Sequence, residues 1–166
     1  MKTAIVYCSK NGSTEKVAKL IGYRLEDYET GYFDLMKCPN PDIRDYDRVI
    51  IGGPIYFGMI QNPVKVFCKQ NEKLLLDKEL GLFICCILKG QEDVQFESAF
   101  STKLRNHSKA RAFLGGELMF EKLNFFEKLM VWKVAESPLE FHIDVDAVDN
   151  FVNKMETGTA SYSPVL

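Results

Sequence analysis

Apolar residues along this chain fall into two alternating arrangements. Short unbroken runs of β-formers alternate with longer stretches whose apolar positions step by three and four. Ala4 to Tyr7 belongs to the first kind, and residues 3–8 are expected to form a short, buried strand. Val17, Leu20, Ile21 and Leu25 share one helical face, so a helix is expected from about Thr14 to Tyr28. After Gly31, Tyr32 to Leu35 read as a second strand. Cys38-Pro39-Asn40-Pro41 is a loop, because paired prolines exclude a helix or a central strand there. Arg48 to Gly53 reads as a third strand. Asn62 and Pro63 then suit an N-cap and a first helical residue, with Val64 and Phe67 opening an apolar face. Leu80 to Leu88, the longest apolar run, reads as a fourth strand, and Phe96, Ala99, Phe100 and Leu104 as one further helical face. Ala110 to Leu114 makes a fifth strand, ended by Gly115-Gly116. A last helix is expected from Asp144, burying Val145, Val148, Phe151, Val152 and Met155.

Strand alternating with helix predicts an α/β fold with a doubly wound parallel sheet and helices on both faces. Right-handed crossovers restrict its topology. Ligands of such sheets sit outside the C-terminal strand edges, where the strand order reverses. Polar or glycine-bearing loops follow the first, third and fourth strands here: Ser9–Thr14, Gly53–Gly58 and Ile87–Gly90. Residues 117–136 depart from the alternation. They contain no Gly or Pro and are expected to form a helical insertion after the fifth strand, before a strand-like piece from Leu139 to Ile143. Phe126, Met130 and Leu123 share one side of that helix, and Leu118, Phe125, Leu129 and Trp132 another. Two apolar sides suit either packing on the sheet rim or contact with a partner, a membrane surface or an apolar substrate. From Glu156 on the chain is rich in Gly, Thr and Ser and is expected to fray, so a single domain is drawn over 1–156 with a flexible tail at 157–166.

Composition removes several function classes. A length of 166 residues with 46% hydrophobic and 27% charged residues suits one soluble domain with a full core. A net charge of −2 with scattered Lys and Arg gives nucleic acid no electrostatic footprint. No apolar run is long enough to span a bilayer, and the N-terminus lacks a signal-peptide layout, so a cytoplasmic location is expected. The five cysteines include no C-x-x-C, and each reads as a small buried hydrophobe rather than a zinc ligand or half of a disulfide. His107 and His142 are isolated and read as structural or surface residues. Asp144 and Asp146 read as capping and dipole residues of the last helix. Asp42, Asp45 and Asp47 read as a solvated loop.

The chemistry concentrates in Ser9-Lys10-Asn11-Gly12-Ser13-Thr14. Hydroxyls at 9, 13 and 14, an amide at 11 and a conformationally free Gly12 stand at a strand-to-helix turn, where backbone N–H groups and the helix dipole attract an anion. There is no G-x-G-x-x-G and no G-x-x-x-x-G-K-[ST], so neither a dinucleotide nor a nucleoside triphosphate is supported. A single phosphate monoester fits, needing many donors but no metal.

This hexapeptide resembles the phosphate loop of the flavodoxins, [TS]-x-[TN]-G-x-T, at Ser9, Asn11, Gly12 and Thr14. The resemblance implies a five-stranded sheet of order 2-1-3-4-5 and a non-covalently bound FMN. It further implies that Pro54, Ile55, Tyr56, Phe57 and Gly58 flank the isoalloxazine ring, with Tyr56 the first choice for a stacking ring and Phe57 the second. A glycine in that loop would let a peptide turn toward the reduced ring. Ile87, Leu88, Lys89 and Gly90 would pass the pyrimidine edge and offer backbone N–H groups; Lys89 itself reads first as a solvated loop lysine and second as a group favouring negative charge there. No side chain need act as acid or base, because the flavin carries the chemistry.

Over the whole chain, YDRVIIGGPIYFG and FLGGELMFEKLNFFEKLMVWK are similar in order and spacing to the flavodoxin-type, menaquinone-dependent protoporphyrinogen oxidases. That family carries a long insertion after the fifth strand, rich in arginine and tyrosine. Here those positions are mostly Glu, Lys, Leu and Phe, and the stretch before the last strand shortens to Glu136-Ser137-Pro138. Scarce arginines weigh against a propionate-bearing porphyrinogen. Three functions follow as expectations. The first is FMN-dependent electron transfer with a redox partner protein. The second is a protoporphyrinogen oxidase reducing menaquinone, with 117–136 touching the membrane surface. The third is a flavin-free binding module, which the intact phosphate loop disfavours.

Overall fold

The structure is a computed structural model, and it describes residues 1–27, 29–86, 91–115 and 142–157. β1 (Lys2–Tyr7) leads to α1 (Ser13–Leu25), β2 (Glu29–Asp34), β3 (Arg48–Tyr56) and β4 (Met59–Ile60). There follow α2 (Asn62–Leu75), β5 (Glu79–Cys85), α3 (Glu92–Ala99), α4 (Thr102–His107), β6 (Ala110–Phe113) and α5 (Val145–Thr157). The sheet order is β2-β1-β3-β5-β6, with each of these neighbours parallel, and the two-residue β4 folds back antiparallel on β3. The expected order of five parallel strands holds, and β4 is an addition.

The central strands read as continuous apolar runs because both sheet faces are covered. Period-two alternation sends successive side chains to opposite layers. Ala4, Val6, Val49, Ile51, Leu82 and Ile84 join one core with α2, α3 and α4. Ile5, Tyr7, Ile50, Phe83 and Cys85 join the other with α1 and α5. Gly52 leaves no room for a Cβ against the Phe83 ring, which fixes that position as glycine by close approach. β2 is half exposed, as befits an edge.

At the N-terminal edge of the sheet, Arg48 is 1% exposed. Its guanidinium donates to Glu79 Oε1 at 2.7 Å, Asp27 Oδ2 at 3.1 Å, Glu156 Oε1 at 2.8 Å and the Met155 carbonyl at 3.3 Å. One cation therefore ties β3, β5, the end of α1 and α5 together. It also corrects the expected fraying at Glu156. The helix continues through Thr157 because its last turn is held by Arg48.

Other boundaries moved for local reasons. α1 stops at Leu25, where Glu26 turns left-handed at φ 50°, rather than at Tyr28. β3 runs on through Pro54 and Ile55 to Tyr56, and β5 ends at Cys85. The single helical face expected from Phe96 to Leu104 is broken at Phe100, which is extended, and Ser101 starts α4 by accepting from Leu104 N at 3.4 Å. Asp144 caps α5 as expected, accepting from Ala147 N at 2.9 Å. Val145 lies on the outer side of that helix at 44% exposure, not in the core. Cys38 is exposed, whereas Cys8, Cys68, Cys85 and Cys86 are buried. The insertion 117–136 lies outside the described residues, as do 139–141 and the tail beyond 157. Ile143 makes an isolated antiparallel bridge to Gly115. Among the described residues no helix is long and apolar enough to cross a membrane.

Candidate functional site

β1, β3 and β5 are neighbours, so the loops leaving their C-terminal ends open on one edge of the sheet. The chain moves to opposite sides of β1 for β2 and β3, which makes this the reversal point where such sheets hold ligands.

The first loop is held from inside. Cys8 N bonds the Gly52 carbonyl at 3.3 Å, extending the ladder by one residue, and the Cys8 thiol lies 2.7 Å from Gln61 Oε1. Ser9 Oγ accepts from Gly12 N at 3.1 Å and Glu15 N at 3.3 Å, so the loop closes on its own hydroxyl. Gly12 takes φ 90°, a region that side chains resist, and starts α1 with no side-chain cap. A Cβ built there would meet nothing within 4 Å, so the space beside Gly12 is open. Asn11 and Ser13 are half-buried and Lys10 is exposed. Thr14 is buried and its side chain hydrogen-bonds Cys85 at the end of β5.

Three ionisable groups lie beneath this loop, within reach of the Asp34 and Glu15 charges. Burial, reinforced by the Asp34 charge, pushes the Cys8 thiol up to about 11. Burial pushes Cys85 up to about 12 against the opposing bond from Thr14. Burial, then the charges of Glu15 and Asp34, pushes the Tyr7 phenol up to about 12. All three are neutral at pH 7, so none opposes an anion above them.

The second stretch is a hairpin rather than the loop expected from Gly53. Pro54 and Ile55 are strand residues, with Pro54 facing Cys85 across the sheet and Ile55 in the core. Phe57 and Gly58, at φ 53° and 74°, form a two-residue turn between the Tyr56–Met59 and Ile55–Ile60 pairs. Positive φ at both central residues matches the right-handed strand twist, at the cost of strain for Phe57. Phe57 and Met59 stand out at 67% and 57% exposure. Ser98 Oγ donates to the Gly58 carbonyl at 3.1 Å and fastens the tip to α3. Asn11 Nδ2 donates to the Tyr56 hydroxyl at 3.2 Å, bringing the first and second stretches together. Ile87, Leu88, Lys89 and Gly90 lie outside the described residues. Their flanks are placed: Cys86 N bonds the Gly115 carbonyl at 3.1 Å, and Gln91 opens α3 by accepting from Gln95 N at 3.0 Å.

Sequence reasoning passed over Gln61 and Ser98. Neither belongs to a motif, and only the packing of α2 and α3 against the hairpin reveals them. His107 is a surface residue whose Nε2 lies 2.8 Å from the Lys78 carbonyl.

The profile described as a flavodoxin domain matches residues 4–140. The protoporphyrinogen IX dehydrogenase [quinone] of Escherichia coli K12 is 20% identical over 139 residues, covering 79% of this chain and 77% of that protein. A flavodoxin of Buchnera aphidicola is 33% identical over 86 residues, covering 51% of this chain and 50% of its own length. Among solved structures, oxidised flavodoxin 1 of Bacillus cereus superposes with a TM-score of 0.53 at 17% identity, covering 93% of this chain and 97% of that one. The rubredoxin oxygen:oxidoreductase of Desulfovibrio gigas gives 0.59 at 16% identity, covering 96% of this chain and 37% of that one. At such identities the two structures speak for the fold alone, but the profile spans most of the chain: this protein belongs to the flavodoxin domain family.

Proposed function

We propose that this chain binds FMN non-covalently at the carboxyl edge of its sheet and passes electrons to and from a redox partner through it. The bond between Asn11 and Tyr56 supports the reading, because it brings an aromatic residue to the loop that we assign to the phosphate. The residues present suit the group. Gly12 leaves open space beside the loop, Ser9 holds the loop closed, and Cys8, Cys85 and Tyr7 below it are uncharged at neutral pH. Ser9, Asn11, Ser13 and Thr14 would hold the phosphate, with Lys10 at its solvent side. Tyr56 and Phe57 would wall the ring, and residues 87–90 would pass its pyrimidine edge. When bound, the flavin supplies the electron chemistry. The chain's part is to orient the ring and exclude water from one face. Titrating flavin-stripped protein with FMN should quench flavin fluorescence to a stoichiometric end point. A chain that leaves flavin fluorescence unchanged would not have this function.

A second reading has its own support. The relative covering the larger share of this chain is the Escherichia coli protoporphyrinogen IX dehydrogenase [quinone], whereas the flavodoxin of Buchnera covers about half. A quinone would then be the acceptor, with 117–136 beside the flavin and against a membrane surface. Anaerobic reoxidation of the reduced protein by a menaquinone analogue, against reoxidation by a protein acceptor, separates the two. Protoporphyrinogen as the reductant tests the substrate.

A further inference from the structure

α2 and the α3–α4 pair cover the same core on one face of the sheet, and a groove of about 350 Å³ lies between them. It sits at the break in the helical pattern, since the extended Phe100 and the capping Ser101 both line it. Its floor is apolar. Cys68, Ala99, Phe100 and Leu104 face it and are each at most 5% exposed. Burial pushes the Cys68 thiol up to about 12, so the floor is uncharged at neutral pH.

The rim is polar, and nearly all of its groups are already engaged. Glu72 accepts from Ser101 Oγ at 3.0 Å and from Lys103 Nζ at 3.4 Å. Glu97 pairs with Arg105 Nη1 at 3.5 Å. Ser98 Oγ is bonded to the Gly58 carbonyl at 3.1 Å and the Gln95 carbonyl at 2.9 Å. Lys65 and Lys69 are what remains. Neither has a hydrogen bond or an ion pair among the described residues. They stand one turn apart on α2, a spacing at which one anionic group can meet both ammonium ions. Their methylene stems lengthen the apolar wall below the charges.

We propose that this groove binds a small apolar carboxylate, its hydrocarbon body on Cys68, Phe100 and Leu104 and its carboxylate between Lys65 and Lys69. The volume lies at the small end of ligand pockets, which suits one ring or a short chain rather than a folded partner. The two rim acids do not oppose the ligand, because each is offset by its own cation. The site is separate from the carboxyl edge of the sheet and does not rest on the FMN reading.

The test titrates the isotope-labelled full chain with phenylpropionate, hexanoate and the neutral phenylpropionamide, read by amide chemical shifts. With either carboxylate, shifts should saturate at residues 65–72 and 97–104, with a dissociation constant of roughly a millimolar. The neutral amide should bind about tenfold more weakly, the size of two partly exposed ion pairs. The double variant Lys65→Gln, Lys69→Gln should lose about the same factor for the carboxylates and none for the amide. Its thermal midpoint should match wild type, because neither lysine has a partner to lose. No saturable shift at these residues with either carboxylate would overturn the proposal. So would an amide that binds as tightly as phenylpropionate, or a double variant that keeps wild-type affinity. Saturation at residues 9–14 instead would place the anion on the phosphate loop and overturn it as well.

Discussion

Asn11 Nδ2 donates to the Tyr56 hydroxyl at 3.2 Å, across 45 residues of sequence, and so couples the turn that starts α1 to the hairpin that ends β3. Without it the turn and the hairpin, made by separate stretches of chain, would move independently. With the bond in place, ordering one loop orders the other.

Tyr56→Phe keeps the ring and removes the hydroxyl. FMN affinity is expected to fall by about fivefold to tenfold, the size of one neutral hydrogen bond. Asn11→Ala should weaken FMN more, since it also removes a side chain proposed to hold the phosphate, and adding Tyr56→Phe to it should cost little further, because both changes break the same contact. Titration of the three variants checks this. Losses that simply multiply would show that the two side chains act separately.

Gly12 sits at φ 90° with no atom within 4 Å of a built Cβ. Gly12→Ala therefore introduces backbone strain without a clash. The flavin-free protein should lose about 1–2 kcal/mol in urea denaturation. If the open space beside Gly12 is where the phosphate sits, the new methyl would meet it, and FMN binding should fall further than stability does.

Phe57 is the reverse case, a bulky residue held at φ 53° with 67% of its surface exposed. Phe57→Gly should stabilise the hairpin by up to about 1 kcal/mol by relieving the strain, despite the added freedom of the unfolded chain. The accompanying measurement is the flavin reduction potential, which should shift if Phe57 walls the ring. A gain in stability with an unmoved potential would leave Tyr56 as the only ring wall on this hairpin.

Alkaline pH should destabilise the protein. Burial raises Cys8 from 9.0 to about 11, Cys68 and Cys85 from 9.0 to about 12, and Tyr7 from 10.0 to about 12. In each case the folded chain keeps its proton where the unfolded chain has lost it. Stability is therefore fully present below pH 9 and declines as pH rises from about 9 toward 12, because the folded state binds more protons there. Urea midpoints measured across this range check the slope. At neutral pH a thiol reagent should modify Cys38, the exposed cysteine, well before the other four.

Arg48→Met should cost about 3 kcal/mol, because Asp27 would remain buried with only the Met1 ammonium, 3.9 Å away, as a cation. Glu79 and Glu156 are more exposed and would regain water. The helix expected to feel the change first is α5, so amide exchange at Phe151–Met155 should accelerate more than at β1. Equal acceleration throughout would mean that Arg48 does not specifically hold α5.

The sequence by itself determined the layer architecture. Continuous apolar runs at Ala4–Tyr7 and Leu80–Cys85 require cover on both faces, and the intervening steps of three and four supply helices to provide it. Ser9–Gly12 was equally legible, because a turn into a helix N-terminus is decided by residues a few places apart. Tertiary structure decided what depends on distant partners. β3 runs through Pro54 to Tyr56 because β5 and β4 pair with it there, and no local propensity shows that. Phe100 breaks an otherwise helical pattern because Ser101 caps a new helix. Glu156 stays in α5 because Arg48, 108 residues earlier, pairs with it. Gln95 reads in sequence as an ordinary surface glutamine, and only burial without a partner among the described residues marks it. Periodicity reports which face of an element is buried. It carries no information about which distant polar group will be waiting there, because that is set by how the layers close.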